Sequence, residues 1–302
     1  MLRIAQLGCG QWGRRLLAHW RTRSDVRIVT VIDPRGGPGV EAEETALWRR
    51  GDVDAVIVAS PPACHAAHAR RALERGWHAF VEKPLALRGG DALVGLAASQ
   101  GRVLMVGHVV LYDEGALQVK RWIREGRLGR LRRITFRRWG RAGARAVDAL
   151  WSLGPHDVAL VDHWLDAAPL RVVASRGWSP APSGPCDEAW VDLRTGRTDV
   201  HLHVGHGRAA APRGAPRRAA VAGTKATVVL EGPRASLHRG GAAVEVHVRR
   251  RDPLEAELDD FVRCVRTGRR PRADAASGAR VVRVLADAVA TRRRQTARRV
   301  AR

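Results

Sequence analysis

The 302-residue chain is short of the residues from which several common kinds of site are built. Its four cysteines, Cys9, Cys64, Cys186 and Cys264, form no C-x-x-C pair and do not cluster with histidine. That spacing argues against a disulfide framework or a zinc site and points to a reducing cytosol. One tyrosine and three phenylalanines leave little with which to stack single-stranded bases. No apolar run approaches the ~20 residues a bilayer requires, and the sequence opens directly on a strand pattern, so neither a membrane span nor an export signal is expected. Acidic residues are also scarce, 30 against 53 lysines and arginines, for a formal charge of +23.

That charge raises the question of nucleic acid. Lysine supplies only Lys83, Lys120 and Lys225, so 53 − 3 = 50 of the cations are arginine. They are spread through every segment, and only residues 291–302 are dense. Net charge of this kind bears on non-specific association, and it suits an acidic substrate or partner equally well. No specific nucleic acid and no membrane is expected as a partner.

What is present begins at the amino terminus. The apolar run 2–7 leads into Gly8-Cys9-Gly10-Gln11-Trp12-Gly13, followed by a helical stretch from Arg14. Strand, G-x-G-x-x-G and helix together form a dinucleotide cradle: a tight turn at Gly8, close backbone approach to a pyrophosphate at Gly10, and helix–strand packing at Gly13. The helix aims free N–H groups and its positive end at phosphate. Asp33 lies twenty residues past Gly13 at the end of the second strand pattern, 26–32. A carboxylate there accepts from the ribose hydroxyls and repels a 2′-phosphate, favouring NAD. Arg35, two residues on, offsets that repulsion and keeps NADP open. The plainer reading of Asp33 is the start of an Asp-Pro turn.

Through residue 107 apolar strands at 54–60, 78–82 and 103–107 alternate with helical stretches at 41–50, 62–75 and 91–99, the grammar of a parallel α/β sheet. From 116 the order changes: a helix over 116–125, a strand over 131–139, a helix at 155–165, then strands at 170–178, 188–194, 198–204, 218–222, 227–230 and 243–249. Helices over 253–267 and 274–292 close the chain. The expected fold class is α/β, a doubly wound parallel sheet in a domain 1–115, followed by an α+β domain 116–302 with an open, largely antiparallel sheet. Residues 209–216 read as a mobile loop.

Two groups suit redox chemistry on a carbinol. Lys83, in Glu82-Lys83-Pro84, is held extended by the following proline at the sheet edge where ligands sit; burial beside a cationic ring would lower its pKa. The alternative is a surface lysine in a turn. His156, in Trp151-Ser-Leu-Gly-Pro-His-Asp157, is expected near a helix N-terminus behind Pro155, able to pass a proton near neutrality, or else to be a core residue. Asp157 orients that ring, faces solvent or, the favoured reading, caps the helix. His201, His203 and His206 lack the convergence a metal needs, and Asp259-Asp260 reads as a solvated face.

These motifs together resemble the Gfo/Idh/MocA oxidoreductases. The resemblance runs through Gly8–Gly13, Asp33, Ala59-Ser60-Pro61-Pro62 with His65, Glu82-Lys83-Pro84, Val106-Gly107-His108, Trp151–Asp157 and residues 261–271. It implies a Rossmann domain with an open-sheet second domain, homodimers or homotetramers built on that sheet, and oxidation or reduction of a sugar, nucleotide sugar or cyclitol. The pattern is nearest to the branch of UDP-N-acetylhexosamine and hexuronate dehydrogenases. It implies Lys83 and His156 as catalytic residues. Cys9, Gln11, Trp12, Ser60, Pro61, His65 and Glu82 join the three glycines and Asp33 around the cofactor, and His108, Ser152 and Asp157 face substrate. Two departures stand out. Ser152 occupies a position where the family often has aspartate, removing a base or orienting group unless Asp148 or Asp157 replaces it. The stretch from Asp33 to Asp54 is short, trimming the adenosine-side wall. Loss of chemistry at Ser152 leaves a non-catalytic dinucleotide- or sugar-binding protein as the alternative.

Overall fold

The computed structural model describes residues 1–140, 148–180, 184–206, 217–232, 234–246 and 251–300. The loop expected at 209–216 lies outside them. The chain divides into two compact units, Met1–Val109 with Leu254–Val282, and Val110–Pro253 with Arg283–Arg302.

Unit 1 is built from β1 (Leu2–Leu7), α1 (Gln11–Arg21), β2 (Val26–Ile32), β3 (Ala55–Val58), α2 (Pro62–Glu74), β4 (His78–Glu82), α3 (Gly90–Ser99) and β5 (Leu104–Gly107). The five strands pair in parallel in the order β2-β1-β3-β4-β5. Their direction of winding reverses between β1 and β3, which opens a ligand crevice at the carboxyl ends of those strands. β3 and β5 are buried at every residue, as strands covered on both faces must be.

The trimmed stretch after Asp33 behaves differently from its expected helix: the one helical turn in it is the 3-10 turn Leu47–Arg49. Leu47 and Trp48 are its buried apolar pair, too few to give a helix an apolar stripe. β2 is therefore an edge strand, met on its free side by a single bridge, Ile32 to Glu41. A groove of ≈ 570 Å³ runs along it past Trp20, Ile28, Thr30 and Val40.

The leading segment of the first unit ends at Val109, and the C-terminal portion does not all belong to the second unit. In α6 (Pro253–Thr267) Phe261 packs edge-on against Trp20 and Phe80, and Asp274 bridges to Met105. At Gly278, in α7 (Ala275–Val300), a Cβ would stand 2.6 Å from Val106. Such returns of apolar chain are invisible to a single cut along the sequence. Asp259 and Asp260 belong to this packing: Asp259 pairs with Arg23 and Asp260 accepts from the Arg272 N–H at 2.9 Å. They are half-buried, which corrects the solvated-face expectation.

Unit 2 contains α4 (Glu114–Arg124), β6 (Leu131–Gly140), α5 (Ala149–Trp164), β7 (Arg171–Trp178), β8 (Glu188–Thr195), β9 (Thr198–His206), β10 (Arg218–Gly223), β11 (Thr227–Glu231), β12 (Arg234–Arg239) and β13 (Ala242–Val246). Of these, β12 was not anticipated; its Arg-Ala-Ser-Leu-His-Arg alternation is flanked by glycines that read as loop. The sheet order is β13-β12-β11-β10-β6-β9-β8-β7, antiparallel except for the β6–β9 pair. α5 lies over β6, β8 and β9, and α4 over β11 and β12. Period-2 alternation sorts the faces. Ile134, Phe136, Val200, Leu202 and Val204 are buried, while His201 and His203 between them are partly exposed. Phe136 stacks on Trp164 of α5 at 5.7 Å. No described helix is long and apolar enough to cross a membrane.

Candidate active site

The glycine loop has the geometry its spacing predicts. Gly8 sits at φ +97°, where a Cβ would lie 2.4 Å from the Ala59 carbonyl oxygen, and a Cβ on Gly13 would lie 2.4 Å from the Gly8 oxygen. Neither position tolerates a side chain. Gly10 caps α1 with extended backbone, no side-chain cap and no acidic residue in the first turn. A Cβ there meets only the Arg35 guanidinium, at 3.6 Å. The N-terminal end of α1 therefore presents its unpaired N–H groups at the switch point of the sheet, a cradle that fits a dinucleotide pyrophosphate.

Asp33 closes the far side. Its carboxylate accepts from the Cys9 N–H at 2.7 Å and from Arg35 at 2.9 and 3.0 Å. The Arg35 guanidinium, helped by the Cys9 N–H, holds this carboxyl well below the usual carboxylate range. Asp33 thus ties the loop to the end of β2, and Arg35, 70% exposed, offsets its charge.

Glu82 is buried and accepts from the Trp12 indole N–H and from the Lys83 N–H at 3.2 Å. Gly107 makes room for it: a Cβ there would stand 2.8 Å from Oε1. Burial pushes the Glu82 carboxyl up to about 7, against the Trp12 hydrogen bond that pulls the other way. Glu82 therefore joins the glycine loop to the end of β4 and sets Lys83 beside it. The Lys83–Pro84 peptide is cis.

His65 differs from its expected role at the cofactor. It is 1% exposed, and its Nδ1 and Nε2 lie 2.7 and 2.8 Å from the carbonyl oxygens of Pro84 and Ser60. Burial lowers its pKa. The ring is a brace between the ends of β3 and β4, fixing the turn that carries Lys83. Ser60 Oγ lies 3.0 Å from His68, and Pro61 precedes α2 as its N-cap. His108, expected to face substrate, has no exposed surface and is a core residue at the end of β5.

In unit 2, α5 begins earlier than its proline suggests. Asp148 is the N-cap, accepting from the Leu150 N–H at 2.9 Å, and Pro155 lies inside the helix. His156 is therefore not in the first turn. The favoured capping role for Asp157 is corrected too: it is fully buried and receives the Arg138 guanidinium on Oδ1, with the Nε contact at 3.0 Å. Asp148 is engaged as well, 2.5 Å from Arg292. Neither acid is left over to replace the aspartate that Ser152 lacks. Lys120 is structural, donating to the His163 and Trp164 carbonyls at the end of α5. His201 and His203 pair with Asp192 and Glu188, each at 2.7 Å.

Sequence reasoning passed over Arg138, Arg217 and Glu257. The signal existed in each case: a charge sits where the apolar period continues. Arg138 follows buried Ile134 and Phe136 at steps of two, Arg217 precedes buried Ala219 and Val221, and Glu257 shares the stripe of Leu254, Leu258 and Phe261.

A parallel sheet with a glycine cradle at its switch point, in one chain with a second unit built on an open sheet, defines a dinucleotide-dependent oxidoreductase architecture. Residues 2–108 match the oxidoreductase family with the NAD-binding Rossmann fold, and residues 116–229 match the Gfo/Idh/MocA C-terminal domain. The chain belongs to the Gfo/Idh/MocA family. It is similar to the UDP-N-acetylglucosamine 3-dehydrogenase of Acidithiobacillus ferrooxidans, 27% identical over 76% of each chain. A 2,7-anhydro-N-acetylneuraminate hydratase of Mediterraneibacter gnavus is 34% identical over 42% of this chain, but that stretch spans only 37% of the relative. Among solved structures, the same A. ferrooxidans dehydrogenase superposes with TM-score 0.84 at 23% identity, over 96% of this chain and 98% of the other. A 3-ketoreductase of Actinomadura kijaniata, solved with TDP-benzene and NADP, gives 0.85 at 21%, over 96% and 97%. Likeness at that identity establishes the fold.

Proposed function

We propose that the protein transfers hydride between a nicotinamide dinucleotide and a carbinol or ketone of a sugar, nucleotide sugar or cyclitol. The observation that carries this reading is the cradle of Gly8, Gly10 and Gly13 braced through Trp12 and Glu82 to Lys83. The curated relatives support it through their names, a UDP-N-acetylglucosamine 3-dehydrogenase, dTDP-3,4-didehydro-2,6-dideoxy-α-D-glucose 3-reductases and an inositol 2-dehydrogenase. When bound, the nicotinamide supplies the hydride acceptor or donor.

The chain's residues do the rest. The α1 N-terminus binds pyrophosphate, and Asp33 with Arg35 meets the adenosine ribose, admitting NAD and leaving NADP tolerated. The Lys83 ammonium stabilises negative charge on the reacting oxygen, an effect strongest where water is excluded. His156 takes the hydroxyl proton in oxidation and returns it in reduction. The test is absorbance at 340 nm with NAD and NADP against a panel of nucleotide sugars and cyclitols. Turnover that disappears in Lys83→Ala, with cofactor still bound, is expected; undiminished turnover in that variant contradicts the assignment.

A second reading is favoured by Ser152 together with the engagement of Asp148 and Asp157 by Arg292 and Arg138. It is a dinucleotide- or sugar-binding protein with impaired chemistry, which binds cofactor but gives no absorbance change with any sugar.

A further inference from the structure

Unit 2 contains a buried guanidinium whose Nε and Nη2 are unbonded among the described residues. In the β10–β6 register Arg218 stands opposite Arg137, so Arg217 stands opposite Arg138. Both continue buried, apolar faces, Ala219 and Val221 on one strand, Ile134 and Phe136 on the other. Two guanidinium groups are thus set side by side on the helix-covered face of the sheet. Arg138 has a partner in Asp157 on α5. Among the described residues Arg217 has none: its Nε and Nη2 are sealed from solvent and meet no hydrogen-bond partner, although the residue keeps part of its surface.

The carboxylates nearby are already in use. Asp157 takes Arg138 on Oδ1, with Oδ2 buried and unbonded. Asp113 caps α4, accepting from the Ala116 N–H at 3.1 Å. Burial lowers the Arg217 pKa, and the Arg138 charge acts in the same direction, against Asp157 and Asp113. A planar fork of donors, desolvated and unbonded, is costly unless an oxyanion occupies it. Arginine suits the planar, two-point recognition of carboxylate or phosphate.

We propose that Arg217, with Arg138 beside it, forms an anion-binding site on unit 2 for a carboxylate or phosphate group of the sugar substrate. This deepens the proposed function and rests on it, by narrowing the substrate to an anionic sugar. It also gives the cationic surplus of the chain a local use.

The test is calorimetric titration of the full-length protein, saturated with whichever of NADH and NADPH it binds so that the glycine loop is filled. The probes are glucuronate, glucose 1-phosphate and neutral glucose. At least one anionic probe is expected to bind ten times more tightly than glucose. Arg217→Gln is expected to weaken that probe by about tenfold or more, as loss of a charged hydrogen bond does. Arg217→Lys, which keeps the charge without the fork, falls between. A response to glucuronate alone identifies a carboxylate, and to glucose 1-phosphate alone a phosphate. Equal affinity for all three probes, or anion binding undiminished in Arg217→Gln, overturns the site. Thermal unfolding separates a structural role: with no internal bond to lose, Arg217→Gln is expected to melt at or above the wild-type temperature. A lower melting temperature with unchanged anion binding makes Arg217 a structural partner of Asp157 and overturns the proposal. Anion binding without hydride transfer contradicts the proposed function and leaves the site standing; hydride transfer to neutral sugars without anion binding does the reverse.

Discussion

The two candidate poles are assembled in opposite ways. In unit 1 the cradle is a run of six residues, Gly8–Gly13, whose spacing alone dictates its shape, and Glu82 and Lys83 are adjacent in sequence. In unit 2 the charged cluster draws Arg138 from β6, Asp157 from α5, and Arg217 from the residue before β10. Local constraint makes the first readable from a short stretch of sequence. Non-local packing makes the second interdependent, because Arg138 and Asp157 are buried against each other from different elements and Arg217 is packed beside them.

That contrast gives the largest expected effect. Arg138→Met leaves Asp157 buried and unpaired, which is expected to destabilise by roughly 3–5 kcal/mol in chemical denaturation. The half-exposed pair Arg3–Asp54 is the control: Arg3→Ala is expected to change stability far less. If the two variants were equally mild, the buried cluster would not be the cooperative unit described. Next, Lys83→Ala is expected to lower kcat by about 10²–10³ with little change in cofactor affinity, the usual effect of deleting one charge-stabilising donor. A fall in stability comparable to that of Arg138→Met would place Lys83 among the structural residues instead.

Glu82 sharpens the comparison by pH. A carboxyl with folded pKa about 7 against an ordinary value of 4.5 holds its proton more tightly when folded. Its stabilisation is complete below pH 4.5 and is lost as pH rises through 7. Glu257, also buried, is pushed well above the usual range by burial and by the charge of Glu82. Glu82→Gln is therefore expected to gain on wild type between pH 5 and pH 8, by up to about 3 kcal/mol. A constant offset across that range would contradict the burial argument. The smallest effect is at Arg35, whose exposed guanidinium screens Asp33. Arg35→Ala is expected to shift the NAD-to-NADP ratio of kcat/KM towards NAD by about tenfold.

The same contrast explains what the sequence disclosed. The parallel sheet, the glycine positions and the open second sheet followed from strand period and glycine spacing, since neighbours in sequence determine them. Pro155 misplaced the start of α5, because Asp148 and its contact with Arg292 set the helix N-terminus from outside the motif. His65 read as a cofactor residue, yet its ring bridges two carbonyls that only the fold brings together. Arg217 and Arg138 were lost among fifty arginines. Their distinction lies in standing on buried strand faces, which becomes visible only when the register is known.

The central claim is that the α1 N-terminus holds the dinucleotide pyrophosphate, and Gly10→Asp tests it most directly. A Cβ at Gly10 has space, so the fold is expected to persist with an unchanged melting temperature, while the added carboxylate repels phosphate. Titration by NADH fluorescence is predicted to show affinity reduced at least a hundredfold, about 3 kcal/mol; NADH binding equal to wild type in the folded variant would contradict the account.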